Sequence, residues 1–428
     1  MFTRFRQKPA TAMAAILGVA LMASAAPAAA KDKPKKEEAG KGTDVPVSKG
    51  FSPAVKKMYE ASTAKDAAAL QAAIAEAQAA NPTEAGDRYW LGHYRLQLGI
   101  LTKDTAAQAQ GLDEVLATGV APAEMLGVYN FYSGNFAYGA KDYAKAVQRL
   151  EAAKAAGSKE PSLSLLLVDS YINNNQVDQG VALAKEAIEA SRAAGQRPSE
   201  ELYVRPAKAL QAAKRTNELL DILTLRVRDF PQPAIWRNTL YILLQQAGGD
   251  KDMNLDILRL MRATNAMTER GEYLEYAALA TEAGYPGEVV AVVEHGIAAK
   301  VFTDKDERFA TILEAQKNRA ASDRAGLLAD ASKPPATPKA ARATADALVG
   351  IGEYAKAIPL YQGVAASDPV AQYRLGVAQA LAGQKDAAVA SFAKVTGDRA
   401  RLAQLWTINV QSPAAAPAAA PAPAPATN

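Results

Sequence analysis

Two histidines, His93 and His295, are the only imidazoles in the 428 residues, 202 positions apart, and there is no cysteine. A metal centre would therefore have to be built mostly from carboxylates, and thiolate chemistry, disulfides and a lipid anchor on a processed cysteine are all excluded. His295 lies in Val289-Val-Ala-Val-Val-Glu-His, a packing helix, and reads as a boundary residue with a satisfied hydrogen bond. Asp304, Asp306 and Glu307 open a helix, where the backbone dipole favours negative charge, and they lack the glycine and distal Glu of a calcium loop. Glu200-Glu201 opens another helix for the same reason. No glycine-rich phosphate loop, nucleophile elbow or paired-His zinc motif is present, so no catalytic, cofactor-binding or metal-ligating residue is assigned.

Aromatic and amide residues at helical spacing are the better candidates for chemistry. Phe131, Asn135 and Tyr138 share a helix face, as do Tyr89 with His93, Asp169 with Asn173, and Arg237 with Tyr241. Aromatic rings supply contact area at low entropic cost, and amides satisfy backbone or hydroxyl groups. The combination suits an extended peptide or a sugar chain. The competing reading is that Phe131 and Tyr241 only pack between neighbouring elements.

The elements that position these residues repeat. Lys141-Asp-Tyr143-Ala-Lys-Ala146-Val147, with Leu150 and Ala153, matches Asn175-Gln-Val177-Asp-Gln-Gly180-Val181, with Ala184 and Ala187, after 34 residues. The same beat recurs at Gly352-Glu-Tyr354-Ala-Lys-Ala357-Ile358, at Lys65-Asp66 with Leu70, Ile74 and Ala77, and at Gly383 with Ala388 and Phe392. A fixed period of this length marks stacked helical hairpins. Small residues at Gly92, Gly134, Ala146 and Ala357 let paired helices cross closely.

This pattern resembles the tetratricopeptide repeat, a 34-residue helix-turn-helix. Tyr89-Trp90-Leu91-Gly92 and Tyr373-Arg-Leu375-Gly376 supply its first helix, Trp236 stands at its usual Trp, and Pro82, Pro231 and Pro369 close units. The resemblance implies an all-α, right-handed α-solenoid of nine units starting near residues 51, 85, 127, 161, 200, 233, 270, 338 and 369. The stretch Ala106 to Ala117 departs from the pattern, and Pro206 interrupts a helix interior, where a kink is expected. The family register turns Tyr59, Tyr89, His93, Phe131, Asn135, Tyr138, Asp169, Asn173, Lys208, Arg237 and Tyr241 toward a concave, partner-binding groove. Some family members clamp a C-terminal carboxylate with Lys and Asn residues; only Asn135 matches, and the companion positions hold Phe131, Ser162 and Leu166.

Organisation follows from composition. Arg4, Arg6 and Lys8 precede an apolar stretch, Ala10 to Ala23, and small residues at Ala28-Ala29-Ala30, which is the make-up of an export signal over residues 1–30, with cleavage after Ala25, Ala26 or Ala30. The stretch is too short to remain as a membrane span. Residues 31–50 are Lys-rich and read as a flexible linker; residues 51–330 hold seven units and a long helix from Thr303 to Ala331. A Pro-rich break at 331–338 leads to two units and a cap helix over 339–410, and residues 411–428 form a Pro/Ala-rich tail. Losing three of 49 basic residues with the signal leaves 46 against 45 acidic ones, so the formal charge falls from +4 to +1, and no basic stripe points to nucleic acid. The expectation is a non-enzymatic periplasmic scaffold that binds a protein or peptide in cell-envelope assembly, secretion or outer-membrane transport. A glycan-binding repeat protein is the alternative, and an enzyme assembled from distant carboxylates is a third.

Overall fold

The computed structural model describes residues 45–412. The expected export signal, residues 31–44 of the expected linker and the stretch from Pro413 onward lie outside them. Among the described residues there are twenty α-helices and no strand. In chain order they are α1 (Ser52–Thr63), α2 (Ala67–Ala79), α3 (Ala85–Thr102), α4 (Thr105–Ala117), α5 (Ala123–Gly139), α6 (Tyr143–Ala155), α7 (Leu163–Asn173), α8 (Val177–Ala193), α9 (Glu201–Ala212) and α10 (Thr216–Asp229). There follow α11 (Pro233–Ala247), α12 (Lys251–Ala263), α13 (Arg270–Glu282), α14 (Pro286–Ala298), α15 (Glu307–Asp330), α16 (Pro338–Gly350), α17 (Tyr354–Gln362), α18 (Pro369–Leu381), α19 (Lys385–Phe392) and α20 (Ala400–Gln411). The fold is all-α: helical hairpins begin near the residues where the repeat places them, and α15 and α20 stand outside the pairing. None of these helices is long and apolar enough to cross a membrane.

The turn inside each early hairpin is written in two residues. Lys65, Lys103, Lys141 and Lys214 take left-handed φ of 55° to 64°, and Asn175 takes 59°. Three of those lysines precede an Asp, and that Asp caps the next helix: Asp66 accepts from Ala69 N, Asp104 from Ala106 N and Ala107 N, and Asp142 from Lys145 N. The carboxylate pairs amides that have no partner within the helix and favours its positive end. Later hairpins use glycine at the left-handed position, as at Gly284, Gly352 and Gly383.

Contacts divide the chain into two compact units, one ending at Ala209 and the other beginning at Leu210, inside α9. Helix α9 continues through Pro206. In the first unit α1 packs on α2, α3 on α4, α5 on α6 and α7 on α8, and first helices also touch, α1 with α3 and α5 with α7. The core at one end joins Phe51, Met58, Leu70, Ile74, Leu91 and Tyr94. The stretch Ala106 to Ala117 makes a close crossing: a Cβ on Gly111 would lie 2.5 Å from the Leu96 amide nitrogen, and one on Gly99 2.6 Å from that of Gln108. The departure from the repeat pattern is a pair of helices meeting backbone to backbone. Residues 45–50, the end of the expected linker, pack on α3; Val45 is buried and Ser48 bonds to Asp87.

In the second unit the hairpins after α15 run back over those before it. Gly287 of α14 meets Ile351 beside α16, Arg374 of α18 reaches Asp252 and Asp256 of α12, and Arg401 of α20 reaches Asp221 of α10 at 2.7 Å. The expected Pro-rich break at 331–338 forms the corner of this reversal, between α15 and α16. Leu402, Leu405 and Trp406 of α20 are buried, and the Trp406 indole donates to Tyr373 at 2.9 Å.

Candidate functional site

Three consecutive first helices of the first unit place polar groups in a line. From α5, Tyr138 donates to Asp169 Oδ2 of α7 at 3.4 Å. The same oxygen pairs with Arg205 Nη1 of α9 at 2.9 Å, and Arg205 Nε donates to Glu201 at 2.6 Å. Asp169 is buried, whereas the Arg205 side chain is 40% exposed, so the guanidinium is fixed from below and open above. Burial raises the Asp169 pKa, and Arg205 opposes the rise. Burial alone would depress Arg205; Glu201 and Asp169 outweigh it and hold the guanidinium above its ordinary range. The Tyr138 hydroxyl is pushed up to about 12, first by burial and then by Asp169.

Around this ladder the other expected residues divide. Asn173 is exposed one turn beyond Asp169, its amide donating to the Asp169 carbonyl at 2.8 Å; Asn135 is half-buried and Lys208 exposed. Tyr138 also meets Tyr143 edge to face at 5.6 Å. Phe131 and Tyr89 are buried: Phe131 packs edge-on against Tyr132, and Tyr89 shares a hydrogen bond with Tyr129. These two rings therefore lie inside the packed layer, with Tyr89 of α3 reaching α5 through Tyr129. Tyr59 is half-buried against the α1–α3 core. His93 stacks on Tyr89, its Nδ1 is buried without a hydrogen-bond partner, and burial lowers its pKa to about 4, so the ring is neutral at physiological pH.

Arg237 and Tyr241 belong to the second unit. Arg237 pairs with Glu269, which caps α13, and with Glu272 of α13 at 2.7 Å each, and its guanidinium lies 6.0 Å from the Tyr241 ring centroid. Tyr241 is 49% exposed, the only aromatic among the exposed large hydrophobic residues described. His295 is held by Tyr273, whose hydroxyl lies 3.1 Å from Nδ1.

Sequence reasoning missed Arg205. With Glu201 four residues earlier it reads as an ordinary ion pair along one helix, and only the stacking of α7 on its neighbours brings Asp169 to it. Also missed was the ionic cluster of the second unit. Asp256 accepts from Arg259 at 2.9 Å, from Arg374 at 3.1 and 3.2 Å and from Arg399 at 2.8 Å. Glu288 accepts two bonds from Arg259 at 2.8 Å and one from Tyr276 at 2.7 Å. Asp346 accepts from Arg374 and Tyr361 at 2.7 and 2.6 Å and from Tyr285 at 3.2 Å. Burial would raise the Asp256 pKa, but Arg374, Arg259 and Arg399 hold it down to about 2; Glu288 is likewise lowered, by Arg259 against burial. Each of these carboxylates is saturated by structural donors, so the cluster fastens helices and offers no free acid or base.

Among the described residues no group of three His, Asp or Glu is placed to hold a metal ion. An open groove of about 700 Å³ lies on the second-helix side, over Leu167 between α6 and α8, spanned by the Lys154–Glu186 pair at 2.9 Å and by Tyr171 donating to Glu151.

No family model matches the chain. No curated protein matches it. Solved structures with a similar helical trace include a Rap protein complexed with competence and sporulation factor, at 14% identity over 77% of this chain and 99% of that one, with a TM-score of 0.24. Others are Naa15/Naa10 bound to HypK-THB, at 11% identity over 83% and 70% with a TM-score of 0.24, and the APC/C hetero-tetramer Cut9–Hcn1, at 11% over 81% and 86% with a TM-score of 0.17.

Proposed function

We propose that the chain is a non-enzymatic scaffold that holds a protein or peptide partner on the first-helix face of its first unit. We further propose that it acts in the periplasm after export, in cell-envelope assembly, secretion or outer-membrane transport. The observation that carries the reading is the Tyr138–Asp169–Arg205 ladder, with Asn135 and Asn173 beside it. Its geometry is set before any partner arrives, because Asp169 is anchored in the packed layer. The entropy of ordering Arg205 is thus already spent, and its side chain, 40% exposed, stays accessible to carbonyl or carboxylate acceptors. Half-buried Tyr138 and Asn135 and exposed Asn173 complete a surface suited to an extended main chain. The export reading rests on the charged, apolar and small-residue order of residues 1–30.

Affinity capture from a periplasmic extract tests this. A partner retained by the full chain and lost from a Tyr138→Ala/Arg205→Ala variant supports it, and truncating two central anchors is expected to weaken capture by at least ~30-fold. Equal capture by both chains contradicts it. Saturable binding of an envelope polysaccharide with no captured protein would favour the glycan reading instead.

A further inference from the structure

Residues 45–48 run extended across the start of α3 and treat it as a peptide ligand would. The Trp90 indole donates to the Val45 carbonyl at 3.2 Å. Ser48 gives both its amide and its hydroxyl to Asp87, at 2.8 and 2.6 Å to the two carboxylate oxygens. Asp87 itself is only 4% exposed. The Pro46 carbonyl fits where Gly86 has no side chain; a Cβ there would lie 1.9 Å from that oxygen. At 100° per residue, Gly86, Trp90, His93 and Gln97 fall within about 60° of one another on α3. The opposite side of α3, through Gly92 and Gly99, packs on α4, so these four residues line the first-helix face. Beyond the strap, His93 Nδ1 and Gln97 Nε2 are buried on that face with no hydrogen-bond partner.

We propose that this strip of α3 is a docking site for an extended peptide of Val-Pro-x-Ser character, and that residues 45–48 are its resident occupant, displaced when a partner segment of that chemistry arrives. The proposal rests on the first-helix face of the first unit being the partner-binding surface. The contacts select the occupant: a main-chain carbonyl for Trp90, a proline-like carbonyl over Gly86, and a hydroxyl with its own amide for the buried carboxylate. Withdrawal of the strap leaves Asp87 without those two donors, and a buried carboxylate favours whatever restores them. The strap is joined to α1 through Lys49 and Gly50, both exposed, with nothing within 4 Å of a Cβ placed on Gly50; its release also gives up the bonds that the Ser48 carbonyl accepts from Phe51 N and Ser52 N at 3.1 and 3.0 Å and uncovers Val47 from the α1–α3 core.

The test uses the full chain with Val45→Asp and Ser48→Ala together, and a fluorescent peptide of residues 43–50 as probe. Hydrogen exchange reports the strap and anisotropy reports the peptide. The expected result is faster exchange at residues 45–48, saturable peptide binding to the variant, at least tenfold weaker binding to the unaltered chain, and a tenfold loss in the variant when Trp90→Phe is added. Three results overturn the proposal: no peptide binding once the strap exchanges freely, equal binding to both chains, or exchange that stays slow in the variant. Ser48→Ala alone, read the same way at a smaller expected shift, serves if the double change lowers solubility. Partner capture that still depends on Tyr138 and Arg205 while the peptide fails would sink the strap and leave the scaffold standing.

Discussion

Arg374→Met is the sharpest perturbation of the second unit. Arg374 is 4% exposed and places N–H groups on Asp256 at 3.1 and 3.2 Å, on Asp346 at 2.7 Å and on Asp252 at 2.5 Å. Methionine keeps most of the apolar stem and removes the charge. Asp346 is then left with tyrosine hydroxyls only, and Asp256 with Arg259 and Arg399. Breaking one side of a buried pair costs about 3–5 kcal/mol, because the uncompensated charge remains in a poorly solvated site. Urea unfolding followed by the second unit's transition should show that loss, and hydrogen exchange should show α16 to α20 losing protection before α10 to α14. Lys57→Ala, which removes the exposed Lys57–Glu76 pair of the first unit, is the control and should cost under ~1 kcal/mol. Adding Asp346→Asn to Arg374→Met should recover about 1–3 kcal/mol, the coupling expected of groups in one network. An Arg374→Met loss no larger than the control's would refute the reasoning: the cluster would be incidental to the docking of the later hairpins.

The same cluster sets a pH dependence: Asp256 and Glu288 have lowered folded-state pKa values, so their stabilisation is present above the ordinary carboxylate range and is lost as pH falls toward 2, Asp256 alone contributing roughly 2 kcal/mol. Acid titration of the second unit's melting, with Asp256→Asn as the comparison, checks the sign. Gly111→Ala should destabilise the α3–α4 pair by about 1–3 kcal/mol, since its Cβ would sit 2.5 Å from a backbone nitrogen, and thermal melting reads the loss. Lys141→Gly should raise stability by up to ~1 kcal/mol, because the lysine holds φ of 64° in a turn that glycine adopts without a Cβ clash; an unchanged or lower melting temperature would contradict that.

Local pattern carried the hairpins. Lys-Asp turns, small crossing residues and the 34-residue spacing each report on neighbours within one hairpin, and the helices fall where those signals put them. The site was legible only in part. Helical spacing put Tyr138 on one face and Asp169 on another helix, but an aromatic on a first helix serves equally well between units or against a partner, and one helix's spacing does not distinguish them; Phe131 and Tyr89 went inward. Arg205 joined the ladder through stacking that no single helix encodes. The reversal after α15 depends on pairs such as Arg374 with Asp256 and Arg399 with Asp252, 118 and 147 residues apart. Its one local hint was a stripe of charge, Asp252, Asp256 and Arg259, on a helix whose register calls for burial. Residues 45–48 read as linker by composition, because the gap at Gly86 and the carboxylate of Asp87 become a seat for them only in three dimensions.

The central claim is that a partner rests on the first-helix face of the first unit. A photo-crosslinking amino acid placed in turn at Asn135, Asn173 and Gln179, in the full chain expressed in cells, asks this directly; the first two lie beside the ladder, and Gln179 is exposed on the second-helix side, at the groove between α6 and α8. The account predicts one shared protein adduct from positions 135 and 173 and none from 179. An adduct from 179 with nothing at 135 or 173 would contradict it.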